Sequence, residues 1–174
     1  MLTIQQMKDL YNEIAPRLTN YLVANGESYE SAKDLVQDTF IKLWSKREQF
    51  SLGDNISAMS FTIAKNLRID KFRRDKFMVE QEEFDVVVDQ STLINPTEEE
   101  EYLEYIRNCL KKALDELPEE LRECYTLFNI GEMSIKEIAK QLSISESLVK
   151  VRIHRAKEKL ADSLSYLKNL VSED

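Results

Sequence analysis

Glycine and proline are scarce in this sequence, and that scarcity limits the folds open to it. Of 174 residues, three are glycine and three are proline. A sheet protein of this length would need many more of these residues for its turns. The sequence therefore predicts an all-α chain whose helices are joined by short connections.

Apolar residues spaced three and four apart predict where those helices lie. They indicate helices over residues 4–24, 28–46 and 57–76, with Pro16 as a kink or break in the first and Ser57 as the N-cap of the third. Residues 46–57 are predicted to form a loop. From 80 to 97 the periodicity fails and Asn95-Pro96 interrupts the chain, so we interpret 80–97 as an acidic linker. The expected organisation is two small helical domains, 1–79 and 98–174.

The charge is strongly segregated along the chain. Although the net charge is −8, residues 61–79 hold six bases against two acids, a net of +4. Residues 147–159 hold five bases against one acid, again +4, whereas 80–104 hold ten acids and no base. Two cationic segments separated by an anionic one are typical of a nucleic-acid-binding protein despite the overall negative charge.

The C-terminal cationic segment lies in a helix-turn-helix pattern. Gly131 is placed as a helix C-terminal cap, Ser134 and Glu137 form a capping box, and Ser143-Ile144-Ser145 forms the turn. On the second helix, Val149 and Ile153 face inward. The side chains predicted to reach base edges are Ser147, Lys150, Val151 and His154, with Arg152 and Arg155 beside them for phosphates. The alternative is an ordinary solvated helix face.

The first cationic segment interleaves bases with apolar residues on several sides of its helix. This pattern suits single-stranded DNA, whose phosphates meet cations while its bases stack or enter pockets. It also suits a core helix with a charged rim, and composition alone does not decide between them. The nearby Phe50 is either a loop anchor or a stacking partner.

The sequence offers little for catalysis or metal binding. It has one histidine, and its two cysteines, Cys109 and Cys124, lie fifteen apart without a CxxC motif. We therefore expect no enzyme, no metal site and no cofactor. Since no window approaches 18 consecutive apolar residues and the start lacks a signal-peptide pattern, we expect a cytoplasmic protein that does not insert into membranes.

Three stretches carry a family resemblance. Residues 32–44 (AKDLVQDTFIKLW) and 61–74 (FTIAKNLRIDKFRR) resemble the second region of bacterial sigma factors. Residues 117–122 and 138–157 resemble the fourth region. The two regions occur in this order and are joined directly, an arrangement that resembles the extracytoplasmic-function group of sigma factors. Ser143 replaces the common glycine of the turn, which should alter the backbone there but not the register.

The resemblance assigns roles to individual residues. It makes the polar face of residues 32–44 a contact with the polymerase clamp: Asp34, Gln37, Asp38 and Lys42. It makes the 46–57 loop a pocket for a flipped minus-ten base and the following helix the minus-ten reader: Phe50, Asn55, Lys65, Asn66, Arg68, Asp70, Lys71, Arg73 and Arg74. It assigns the minus-thirty-five element to the helix-turn-helix: Ser147, Lys150, Val151, Arg152, His154 and Arg155.

The implied partners are core RNA polymerase, promoter DNA and an anti-sigma factor, which in this family is often membrane-bound. Each cationic segment alone would bind DNA weakly, with a dissociation constant of roughly 0.1 mM to 1 µM. The linker and its flanks, about 22 residues, reach at most roughly 75 Å. Two promoter boxes a couple of helical turns apart are separated by about 70 Å, so a scaffold must hold the linker open.

Two other functions remain open at the level of sequence. A stand-alone helix-turn-helix regulator would bind a palindrome as a dimer without polymerase. A helical adaptor would bind only protein, and reversing the charges of Lys150 and Arg155 would change nothing at promoters.

Overall fold

The computed structural model of the protein describes residues 2–50, 54–79 and 97–167. The predicted linker falls almost wholly on 80–96, outside the described residues. Within them the chain is helical and contains no strand, which confirms the all-α prediction. The helices are α1 Ile4–Ala24, α2 Tyr29–Ser45, α3 Ile56–Val79, α4 Glu98–Asp115, α5 Glu119–Asn129, α6 Ile135–Leu142 and α7 Glu146–Ser163, with a short 3₁₀ turn at Arg47–Gln49.

Helices α1, α2 and α3 form an N-terminal unit around fully buried side chains. Leu18 and Leu22 of α1 pack in one cluster with Leu43 of α2 and Phe61 of α3. Pro16 does not end α1, which runs unbroken past it.

The N-cap of α3 lies two residues before the predicted one. Asn55, not Ser57, caps this helix, because the Asn55 side-chain oxygen accepts a hydrogen bond from the backbone N–H of Ala58 at 3.0 Å. Asparagine and serine both cap helices well through their side-chain oxygens, so residue type alone does not decide between Asn55 and Ser57.

Helices α4 to α7 form a C-terminal unit. Leu127 of α5, Ile138 of α6 and Val149 of α7 are fully buried together. Leu117, Leu121, Ala156 and Leu160 form a second cluster that joins α5 and α7. The predicted capping box is present: Ser134 accepts from the amide of Glu137, whose carboxylate accepts from the amide of Ser134. The helix-turn-helix is therefore α6, the turn at 143–145 and α7.

Steric crowding, and not an unusual backbone conformation, explains why a glycine stands at position 131, just after the end of α5. Its amide donates to the carbonyl of Thr126 at 3.0 Å. A Cβ at this position would lie 2.6 Å from the carbonyl oxygen of Leu127. The residue with left-handed backbone is the next one, Glu132, at φ 51°. Glycine is thus required here because two stretches of backbone approach closely.

Ser143 ends α6 with the backbone conformation that glycine favours. Its φ and ψ are 55° and 44°, in the left-handed region. The expectation that serine would alter the backbone of this turn is therefore wrong. The capping contacts hold the conformation, since the amide of Ile144 donates to the carbonyl of Ala139 at 3.0 Å.

Ser143→Gly is expected to raise the free energy of unfolding by about 0.5–1 kcal/mol. The left-handed conformation costs a non-glycine residue about 1–2 kcal/mol, part of which is offset by the greater freedom of glycine in the unfolded chain. Urea unfolding followed by circular dichroism measures the change. Lys140→Gly, in the exposed interior of α6, is the control and should lower stability by about 1 kcal/mol; equal destabilisation by both variants would contradict the strain at Ser143.

Candidate nucleic-acid interface

The outer face of α7 presents most of the residues predicted to contact base pairs. Val149, Ile153 and Ala156 anchor the helix in the core. The opposite side is exposed, and it carries Ser147, Lys150, Val151, His154 and Arg155. Val151 is 43% exposed on this face, where its methyl groups can contact a thymine methyl group. A cationic helix face on a capped helix-turn-helix can enter a major groove.

Arg152 is placed differently from its neighbours. Its guanidinium pairs with the Glu120 carboxylate of α5 at 2.8 Å, and its side chain is 18% exposed. Arg152 thus ties α7 to α5 and supports the helix that carries the exposed face. The sequence prediction that it contacts phosphates would require this pair to break.

The residues predicted to read the minus-ten element divide between two faces of α3. At 100° per residue, Lys65, Arg68 and Lys71 fall on one side of the helix. Asn66, Asp70, Arg73 and Arg74 fall on the other side. We call these sides the inner and outer faces of α3.

The inner face of α3 is occupied by contacts within the protein. Lys65 pairs with Glu123 of α5 at 2.9 Å, and both side chains are largely buried. Arg68 donates to the backbone carbonyl of Asn25 at 2.9 Å. Lys71 pairs with Glu27 at 2.9 Å. Three of the predicted DNA-binding cations are therefore engaged elsewhere in this conformation.

The contact between Lys71 and Glu27 has a pH-dependent strength. Partial burial would raise the pKa of Glu27, but hydrogen bonds from Ser31 and Lys71 outweigh it and hold that pKa below its ordinary value. A carboxyl whose pKa is lowered on folding stabilises the fold at neutral pH, and the contribution is lost as the pH falls through the folded-state pKa.

Glu27→Gln is expected to lower the free energy of unfolding by about 1 kcal/mol at neutral pH. The difference from the unchanged protein should shrink as the pH falls through the folded-state pKa of Glu27, because the carboxyl then becomes protonated and, like glutamine, carries no charge. Urea unfolding at several pH values measures it. The control is Glu30→Gln, which removes an exposed partner of Lys33 and should have little effect; a pH-independent loss in Glu27→Gln would contradict the assignment.

The outer face of α3 is exposed and lies beside α2. A groove of about 610 Å³ between the two helices is lined by Asp38, Ile41 and Lys42 from α2 and by Leu67, Asp70, Arg73 and Arg74 from α3. Two of the four predicted polymerase residues and three of the nine predicted minus-ten residues therefore line one continuous surface. The four residues predicted on α2, Asp34, Gln37, Asp38 and Lys42, are all exposed.

Sequence reasoning missed the apolar part of this α2 surface. Ile41 is 65% exposed, and it borders a shallow groove lined by Tyr11, Gln37, Phe40 and Trp44. Exposed apolar side chains next to charged ones are typical of a protein interface. The signal was present in the sequence, since Ile41 lies off the buried stripe of α2.

Phe50 and Asn55 flank the part of the predicted loop that lies outside the described residues, 51–53. Phe50 is 5% exposed and belongs to the core cluster, so it acts as a loop anchor, and stacking on a base would require it to leave the core. Asn55 caps α3 and donates through its side-chain amide to the Glu137 carboxylate of α6.

Neither a candidate metal cluster nor a membrane-spanning helix occurs among the described residues. No group of three or more His, Cys, Asp and Glu side chains there could hold a metal ion. None of the helices is long and apolar enough to cross a membrane in that part of the chain. Cys124 is fully buried, and burial is the main reason that the pKa of its thiol is raised.

Two protein-family models match the chain, one in each unit. Residues 10–77 match the model described as Sigma-70 region 2. Residues 107–160 match the model described as Sigma-70, region 4. The matched residues contain α2 and nearly all of α3 in the first case. In the second case they contain α6, the turn and all but the last three residues of α7.

Curated relatives match over nearly their full length. RNA polymerase sigma factor YlaC of Bacillus subtilis is 30% identical over 162 residues, which cover 91% of this chain and 92% of that protein. The extracytoplasmic-function sigma factor SigW of the same organism is 28% identical over 171 residues, covering 90% of this chain and 86% of that one.

Solved structures share the fold. The sigma factor RpoE of Bartonella quintana, in complex with the anti-sigma factor NepR, has a TM-score of 0.70 at 24% identity and covers 93% of this chain and 98% of its own. CnrH, in complex with the cytosolic domain of CnrY, has a TM-score of 0.68 at 24% identity and covers 94% and 90%.

Proposed function

Because the chain belongs to the sigma-70 family, as a sigma factor of the extracytoplasmic-function type, we propose that its two helical units divide promoter recognition between them. Such a factor directs promoter-specific transcription initiation as a subunit of RNA polymerase. Residues 1–79 form the domain that docks on the polymerase and opens the minus-ten element. Residues 98–174 form the domain that binds the minus-thirty-five element, and 80–97 connect the two.

The polymerase contact is assigned to the exposed face of α2. Asp34, Gln37, Asp38 and Lys42 supply its polar groups, and Ile41 adds an apolar centre. Charged groups around an apolar contact fix orientation and exclude wrong partners, which is what a shared polymerase surface requires.

Minus-ten recognition is assigned first to the outer face of α3. Arg73 and Arg74 are exposed there, next to the α2 surface that docks on the polymerase. DNA held on this face would lie against the polymerase, where a captured unstacked base offsets the few kcal/mol lost on unstacking. Lys65, Arg68 and Lys71 can join the contact only after their present partners release them.

Minus-thirty-five recognition is assigned to the exposed face of α7. Lys150 and His154 can donate to base edges or phosphates, Val151 can contact a thymine methyl group, and Arg155 suits the backbone. This capped, cationic and exposed helix face is the observation that carries the proposed function.

The same function implies the partners and the location of the protein. It acts in the cytoplasm on core RNA polymerase and promoter DNA, and it performs no chemistry of its own. An anti-sigma factor is the expected inhibitor, since the similar sigma factor RpoE of Bartonella quintana was solved in complex with the anti-sigma factor NepR.

A run-off transcription assay tests the function. Core RNA polymerase freed of other sigma factors is combined with this protein and a library of genomic fragments. Transcripts with defined start sites, each preceded by common minus-ten and minus-thirty-five sequences, are expected only when the protein is present. A stable dimer that binds a palindrome tightly and never supports a transcript would favour a stand-alone regulator instead.

A further inference from the structure

A cleft of about 950 Å³ lies between the second half of α3, the turn from α1 to α2 and the first turn of α5. This volume is within the range of sites that bind small molecules, about 300–1,000 Å³. The walls of the cleft combine cations with exposed aromatic rings. We propose that the cleft binds a free nucleotide, with the phosphates on the cations and the base on the rings.

The α3 wall of the cleft alternates cations and apolar side chains in two adjacent rows. Residues four apart lie on the same side of a helix, about one turn from each other. The first row is Arg68, Phe72 and Lys76, and the row beside it is Ile69, Arg73 and Phe77. Each aromatic ring therefore has a cation one turn away, an arrangement that suits a base joined to phosphates.

The two phenylalanine rings on this wall are open to a ligand. Phe72 is 68% exposed and Phe77 is 78% exposed. Two such rings in one cleft form an apolar surface that a planar base can cover by stacking. Stacking of one base on an aromatic ring strengthens binding by about tenfold or more.

Two arginines of the cleft have spare capacity to bind an anion. Arg68 donates to the neutral backbone carbonyl of Asn25 at 2.9 Å, and Arg122 lies 4.0 Å from its ion-pair partner Asp115. The Nε–H group of each arginine is buried without a hydrogen-bond partner among the described residues. A buried donor without a partner is costly, so a phosphate that draws these guanidinium groups into hydrogen bonds is favoured.

The charge of the cleft favours a ligand with more than one negative charge. Arg73 and Lys76 add two exposed cations, whereas the acids of the cleft are Glu27 and Glu119. Glu27 is already paired with Lys71 at 2.9 Å. Four cations therefore face two acids, one of which is engaged, and a nucleoside di- or triphosphate suits this excess better than a monophosphate does.

The position of Arg122 favours a small ligand over a nucleic-acid strand. Arg122 lines the cleft from the side of α5, and its side chain is 17% exposed. A ligand must enter between α3 and α5 to reach it, which a free nucleotide can do with its phosphates first. A single strand continues on both sides of each nucleotide and would stay on the exposed rings of α3.

Isothermal titration calorimetry of the full chain tests the ligand class. The probes are ATP, CTP, GTP and UTP, their nucleosides, inorganic triphosphate and a short single-stranded oligonucleotide. At least one nucleotide should bind about tenfold or more tightly than inorganic triphosphate and its own nucleoside, because only the nucleotide uses the rings and the cations together. Binding of inorganic triphosphate as tight as that of every nucleotide, binding of the oligonucleotide alone, or no binding at all would each overturn the site.

A variant of the cleft tests the location. Lys76→Gln with Phe77→Ala should weaken binding of that nucleotide about tenfold or more, since it removes a cation and a ring. Both side chains are exposed and neither is assigned to polymerase or DNA, and circular dichroism checks that the helices are kept. The matched control is Lys111→Gln with Tyr102→Ala, which removes an exposed cation and an exposed ring from α4, outside the cleft. Equal affinity of the two variants for the nucleotide would overturn the site. Run-off transcription by the unchanged protein tests promoter recognition separately, so loss of the nucleotide site would leave the proposed function standing.

Discussion

Reversing both Lys150 and Arg155 to Glu is expected to reduce promoter-specific transcription by about a hundredfold or more. Both residues lie on the exposed face of α7, so the substitutions should leave the fold intact. Losing a contact to a base edge or phosphate costs about 1–3 kcal/mol, and a carboxylate facing a phosphate adds repulsion. Run-off transcription from a promoter found with the unchanged protein measures the loss.

The readout must separate DNA binding from polymerase binding. The variant should still bind core polymerase with unchanged affinity, because α7 is not assigned to that contact. Lys111→Glu with Lys112→Glu makes the same change of charge on exposed residues of α4 and serves as the control. If the α7 variant transcribed as well as this control, the protein would be an adaptor that binds only protein, and the assignment of α7 to DNA would fail.

Replacing Asp34 and Asp38 by Lys is expected to weaken binding to core polymerase by about a hundredfold. The two carboxylates lie one helical turn apart on the exposed face of α2, next to Ile41. Like charges placed against each other across an interface cost several kcal/mol, so reversal does more than remove an attraction. Fluorescence anisotropy of the labelled protein, titrated with core polymerase, measures the affinity.

A matched pair on α1 provides the control for this second prediction. Asp9 and Glu13 have the same spacing, are exposed, and border a different groove, near Leu2 and Ile56. Asp9→Lys with Glu13→Lys should therefore bind polymerase almost normally. An equal loss in both pairs would mean that net charge, and not the α2 face, governs binding to the polymerase.

The helices and the DNA-binding face of α7 follow from local sequence. The start of α6 is indicated by a capping box, in which a serine and a glutamate lie three residues apart. Helix α7 has one clear apolar stripe, and the residues of that stripe are buried in the core. Such signals act within a turn or two of helix, so the exposed side of α7 could be identified before the fold was known. The exact steric need for Gly131 could not, because it depends on how the chain leaves α5.

For α3 the sequence determined that a cationic helix exists, and only the tertiary structure decided what its two faces do. Apolar residues occur on several sides of α3, so no stripe distinguishes the face that packs from the face that is free. Lys65 meets Glu123, Asn55 meets Glu137 and Arg152 meets Glu120 across 58, 82 and 32 residues. Periodicity reports which side of a helix is buried but not which distant element buries it. The choice between DNA and an internal partner for these side chains is therefore made by packing between helices.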